Sequence, residues 1–182
     1  MRLHADRLLD RYADGGYFVA EIDLLDLRDL YELRLTLELG AINRAREDGV
    51  QHDLDALETL RGIWLEVEAD PPAPDGSFIE KDESFHVALA RSSGNAAIVE
   101  MLESVNVRIR PVRIYDFLTE DRIATSTVEH LQILEAVIAG EIALAADRLR
   151  EHIGASLAVV EERAAEAMRQ RALRSRRLSV EV

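Results

Sequence analysis

The chain contains no cysteine, which excludes disulfides and thiolate metal ligands; any bound metal must be held by histidine, carboxylate or water. Proline and glycine are scarce, at four and nine of 182 residues, and strand-like segments are few. The remaining long runs, rich in Ala, Leu, Glu and Arg, point to helices. Long apolar runs are missing too. Neither a signal peptide nor a membrane-spanning segment can be read, so a cytoplasmic protein with no membrane partner is expected. Lysine occurs once, at Lys81, and 35 Asp and Glu against 22 Lys and Arg give a formal net charge of −13. An acidic body repels phosphate backbones, so the bulk of the surface is not built to bind nucleic acid. Positive charge gathers at the two ends, at Arg2, Arg7 and Arg11 and again at Arg169, Arg171, Arg174, Arg176 and Arg177. The second group reads as a solvated tail.

What is present is helical periodicity. It predicts helices over residues 26–47, 53–69, 78–91, from Asn95 onward, 121–139 and 141–169. The apolar stripes are Leu30, Leu33, Leu37 and Ala41 in the first, and Leu54, Leu57, Leu60, Trp64 and Val67 in the second. They continue with Phe78, Phe85 and Leu89, and with Ile98, Leu102, Val105, Ile109 and Val112. The last two carry Ile123, His130, Ile133, Leu134 and Val137, then Ala145, Leu149, His152, Ser156 and Val159. Asp53 and Asn95 suit N-caps, Gly49, Gly94 and Gly140 suit helix ends, and Pro111 is expected to kink or split the fourth helix. Ahead of these, residues 1–12 read as a short helix, Gly15–Gly16 as a turn and residues 17–22 as a strand that needs a partner. The expected fold is all-α: an antiparallel bundle of about six helices, preceded by a short segment with one strand.

Within this pattern Asp82 and His86 stand one turn apart inside an apolar arc, where a carboxylate and an imidazole are costly unless something satisfies them. His130 and His152 face inward from two further helices; His4 and His52 do not share that placement. Taken singly, such residues are more often hydrogen-bonded than metal-bound. Together, three imidazoles and one carboxylate make a donor set suited to a divalent metal, zinc first, with nickel, manganese or iron as alternatives. Arg34 falls in the middle of the first apolar stripe. It reads either as a buried salt bridge to Glu38 or as a guanidinium that grips a ligand carboxylate bidentately. Arg108 borders the inward face of the fourth helix and is a weaker candidate for the same role.

Three stretches resemble the FadR-type effector domain of GntR-family transcription regulators. They are Asp29-Leu-Tyr-Glu-Leu-Arg-Leu-Thr-Leu-Glu38, Phe85-His-Val-Ala-Leu-Ala-Arg-Ser-Ser-Gly-Asn95, and Glu129-His-Leu-Gln-Ile-Leu-Glu-Ala-Val-Ile-Ala-Gly140 with the later His152. The resemblance covers about residues 23–168. It implies a metal on Asp82, His86, His130 and His152, and a small organic-acid effector completing the metal's shell, with Arg34 nearby. It further implies a homodimer acting on operator DNA. The family places a complete winged helix-turn-helix ahead of the bundle, whereas residues 1–22 resemble only the end of one. Operator binding is therefore expected only where a complete winged helix is present. The organisation expected is a winged-helix remnant over 1–22, an effector-binding helical domain over 23–168 and an Arg-rich tail over 169–182.

The function that follows is a metabolite-responsive transcription regulator rather than an enzyme. The alternative is a metal-dependent hydrolase using metal-bound water, against which no further acid or base with a clear proton-transfer role is found on the same faces. A purely structural bundle with buried polar contacts is the third possibility.

Overall fold

The computed structural model describes residues 9–11, 17–19, 24–47, 49–74, 77–113, 116–117 and 119–178. Two short strands, β1 (Leu9–Arg11) and β2 (Tyr17–Val19), pair antiparallel with Leu9 opposite Val19. The helices are α1 (Leu24–Glu47), α2 (Leu54–Ala69), α3 (Phe78–Ser92), α4 (Ala96–Arg113), α5 (Glu120–Ile138) and α6 (Ile142–Leu178). Among the described residues, the six helices and the all-α class agree with the periodicity from residue 26 onward.

Local chemistry sets the helix ends. The Asp53 carboxylate accepts from the Ala56 amide at 3.0 Å and starts α2. The Asn95 side chain accepts from Ala97 and Ile98 at 3.1 and 3.2 Å and starts α4. Each satisfies an amide that has no partner within its own helix. Gly94 and Gly140 follow α3 and α5 with φ of 73° and 75°, a region that residues with a Cβ rarely adopt.

α1 packs on α6, α4 and α3; α2 packs on α5 and α3; α5 also packs on α6. Apolar side chains fill the space between them. Trp64 lies edge-on to Phe78 and Phe85, with ring centroids 5.8 and 5.3 Å apart, and Phe117 closes the cluster against Phe78. Among the described residues, no helix is long and apolar enough to cross a membrane.

Four expectations need correction. Leu33 and Leu54 are exposed, at 40% and 48%. The buried face of α1 instead runs Leu27, Leu30, Tyr31, Arg34, Glu38, Ala41 and Ile42. It is a regular helical stripe, but with a salt bridge at its centre, so reading only the leucines rotates the face. Pro111 does not split α4: it lies in the last turn, where its missing N–H removes one hydrogen bond close to the natural end of the helix. Residues 9–11, assigned to a first helix, are instead the strand that partners β2; the rest of that proposed helix, residues 1–8 and 12, the turn at Gly15–Gly16 and residues 20–22 of the expected strand lie outside the described residues. Finally, helical backbone continues through the Arg-rich stretch as far as Leu178.

A candidate metal centre among buried histidines

α3 supplies Asp82 and His86, α5 supplies His130 and α6 supplies His152; all four side chains are buried. Each offers one ligand atom, and these atoms lie within 4.8 Å of one another. His152 Nε2 is 3.2 Å from His130 Nε2 and 3.3 Å from His86 Nε2. Asp82 Oδ1 is 3.4 Å from His130 Nε2, and Asp82 Oδ2 is 3.6 Å from His86 Nε2. Nitrogen donors about 2.0–2.1 Å from one zinc ion at tetrahedral angles stand about 3.3–3.4 Å apart. These four separations are close to that spacing.

The protons point the same way. His86 Nδ1–H donates to Glu38 Oε2 at 2.5 Å, and His152 Nδ1–H donates to Glu129 Oε2 at 2.7 Å. In a neutral ring with a protonated Nδ1, Nε2 carries a lone pair. Two such lone pairs then face each other across 3.3 Å. His130 can give one proton to this group through Nε2, but its Nδ1 is buried without a hydrogen-bond partner, as is Asp82 Oδ1. Three ring nitrogens and a carboxylate oxygen thus converge, with Asp82 Oδ1 left without a hydrogen-bond partner. A cation satisfies all four at once, which is the fit the donor set requires.

Electrostatics keep the groups in ligating form. Burial pushes the His86 imidazole down to about 4, with the Arg34 charge acting in the same direction against Glu38 and Asp82. Burial, aided by His152 and His86, also lowers His130 well below the usual imidazole value. Burial opposes ionisation of Asp82, but Arg113, His86, His130 and Arg34 outweigh it and hold the carboxyl well below the ordinary range. Glu38 is likewise desolvated, yet His86 and Arg34 bring it down to about 2. The rings are held in place by packing: His130 stacks on Phe85 at 3.8 Å and meets Trp64 edge-on at 4.3 Å.

Around the four lies a ring of charge only partly visible in the sequence. Arg34 Nε donates to Glu38 Oε1 at 2.8 Å, so Glu38 bridges Arg34 and His86. Arg34 Nη2 is 4.0 Å from Asp82 Oδ2. Arg113, at the end of α4, is fully buried and donates through Nη2 to Asp82 Oδ2. Glu129 reaches across to His152. Arg122 then links Glu129 to Asp116, which accepts from Ser156 Oγ at 2.6 Å. Arg108 is not among the residues touching the cluster. It lies on the flank of α4, and its Nη2 is 3.3 Å from both carboxylate oxygens of Asp26. His52 sits apart, its nitrogens bonded to Ser92 Oγ and the Ile42 carbonyl.

Residues 29–155 match the family model described as the FCD domain. The Nta operon transcriptional regulator of Aminobacter aminovorans is 30% identical over 132 residues, which cover 72% of this chain and 60% of that protein. The chain spans about three fifths of the length of the curated relatives it matches. Among solved structures, the metal-free FCD domain of TM0439 is 25% identical with a TM-score of 0.62, the match covering 76% of this chain and 94% of that one. The Zn2+-bound form of the same domain is 26% identical over the same shares, with a TM-score of 0.53.

Proposed function

Since this chain belongs to the FCD domain family, the C-terminal effector domain of GntR-family transcription regulators, we propose that it is the sensing part of a metabolite-responsive regulator. Asp82, His86, His130 and His152 hold a divalent ion. Zinc is the first choice, supported by the Zn2+-bound FCD domain of TM0439, and nickel, manganese or iron suit the same donors. The ion supplies a buried positive charge able to accept an oxygen ligand. A small organic acid is the effector, with Arg34 as its counter-charge. The organisation proposed keeps 23–168 as the effector domain, with 1–22 as part of a winged helix and 169–182 as an Arg-rich extension.

One observation carries this reading: four buried ligand atoms from three helices lie within 4.8 Å of one another, and Asp82 Oδ1 among them has no hydrogen-bond partner. An effector held there contacts α1 through Arg34 and α3, α5 and α6 through the metal ligands. Its binding favours one packing of those helices over another, and α1 follows directly on the N-terminal segment. The regulator acts in the cytoplasm as a homodimer, and a form with a complete winged helix binds operator DNA. The family consists of regulators, which are normally not enzymes.

Zinc titration by calorimetry of the wild type and of His130→Ala tests the metal centre. Saturable uptake is expected for the wild type and its loss for the variant; equal uptake by both would remove the site.

A further inference from the structure

Asn106, on α4, is 2% exposed, and both polar atoms of its carboxamide, Nδ2 and Oδ1, are buried without a hydrogen-bond partner. It takes no part in the network around the histidines. Leucine at this position would occupy nearly the same volume and widen the apolar face formed by Leu102, Val105 and Ile109. An unmet carboxamide there therefore costs stability that an apolar side chain would not.

Asn106 lines a cleft of about 450 Å³ between α3 and α4. Small-molecule sites span about 300–1,000 Å³. Val87 and Val107 give the cleft apolar walls. The Ser84 hydroxyl donates to the Glu80 carbonyl at 2.7 Å, which leaves its lone pairs able to accept. Its charged lining is three carboxylates against two guanidiniums. Arg110 donates to Glu83 at 3.0 Å and Arg91 to Glu103 at 3.3 Å, so the excess charge is that of Glu80. A negative balance disfavours a bare anion.

We infer that the cleft between α3 and α4 is a second small-molecule site, separate from the metal centre. Asn106 recognises there a neutral or cationic ligand with an amide-like edge, an N–H beside an oxygen or ring-nitrogen acceptor. A carboxamide carries a donor and an acceptor side by side and pairs bidentately with such an edge, as asparagine does with adenine. The apolar part of the ligand rests on Val87 and Val107. The inference needs no metal and stands apart from the sensor reading.

Nicotinamide, nicotinate and adenosine, titrated into the isotope-labelled full chain and followed by NMR, test it. Nicotinamide and adenosine should shift the Asn106 side-chain NH2 signal saturably. Nicotinate, of the same shape but anionic and without the N–H, should bind at least about tenfold more weakly than nicotinamide. Asn106→Leu should weaken both neutral probes at least about tenfold, take up zinc as the wild type does and unfold at an equal or higher temperature. No shift of that signal by either neutral probe, up to about 10 mM, would mean that water alone meets the carboxamide and overturns the inference. Equal binding of nicotinate and nicotinamide overturns it as well, and these wild-type titrations decide even if the variant fails to fold. Wild-type affinity for nicotinamide in Asn106→Leu has the same consequence, and so has loss of zinc uptake in a folded Asn106→Leu, which would make Asn106 a support of the metal centre.

Discussion

Where the loop before α2 meets α1 and the end of α3, His52 is buried with both ring nitrogens occupied: Nδ1 lies 2.8 Å from Ser92 Oγ and Nε2 lies 3.2 Å from the Ile42 carbonyl. At the centre of the bundle, His86 and His152 are buried with only Nδ1 occupied, each by a carboxylate. Both regions hide imidazole from water, and burial alone does not separate them. The difference lies in what the second nitrogen faces. A main-chain carbonyl closes the account of His52 within the protein. At the centre the second nitrogens face one another, and the carboxylates behind them fix the rings and raise their basicity, as carboxylate partners do for metal-bound histidines. A histidine satisfied on both sides is structural; a histidine braced on one side and unmet on the other is prepared for a ligand.

The strongest way to break this contrast is to remove one histidine from each region. His86→Ala should lower zinc affinity by more than the roughly 10–100-fold typical of losing an outer partner. His52→Ala should leave zinc binding unchanged and cost about 1–3 kcal/mol of stability, because Ser92 and the Ile42 carbonyl lose a partner. Calorimetry and thermal unfolding read the two effects separately. Comparable loss of zinc binding in both variants would erase the distinction.

Metal removal sharpens it. Zinc at about 100 times its dissociation constant adds about 2.7 kcal/mol to the folded state. For a chain of this size that is roughly 5–10 °C in Tm. Chelation should reverse the shift in the wild type and in His52→Ala, and do nothing in His86→Ala. A smaller effect is expected from the braces themselves. Glu38→Gln should weaken zinc by about 10–100-fold, because it also strands the charge of Arg34. Glu129→Gln should do less: its side chain is 28% exposed, so water can replace part of what is lost. The reverse order would mean that Arg34 takes no part in holding Glu38.

The same contrast shows what a single sequence reveals. Helix ends were legible because they are local: Asp53, Asn95, Gly94 and Gly140 act on amides and torsions a few residues away. Asp82, His86, His130 and His152 were legible because each interrupts an apolar face, which 3.6-residue periodicity exposes. Partners across helices were not. Glu129 adjoins His130 in sequence but serves His152 on α6, a relation fixed by how α5 and α6 pack. Arg113 stands two residues after a proline expected to break its helix, so its phase could not be trusted. The stripe of α1 was misplaced because Arg34 and Glu38 neutralise each other inside the core, and a hydrophobicity pattern does not register such a pair.

Arg108 offers the smallest effect and a test of how far helical phase can be pushed. It borders the apolar face of α4, as a ligand-binding arginine would, yet it pairs with Asp26 at 3.3 Å with both side chains part-exposed, at 28% and 40%. Exposed ion pairs contribute about 0–1 kcal/mol, since solvent screens the attraction and ordering two long side chains opposes it. Arg108→Ala should therefore lower stability by at most about 1 kcal/mol and leave zinc affinity at its wild-type value. Arg113, five residues on in the same helix, is fully buried and bonded to Asp82, so Arg113→Lys should weaken zinc binding. Were Arg108→Ala instead to weaken zinc as strongly as Arg113→Lys, the flank of α4 would have to take part in holding Asp82 in place.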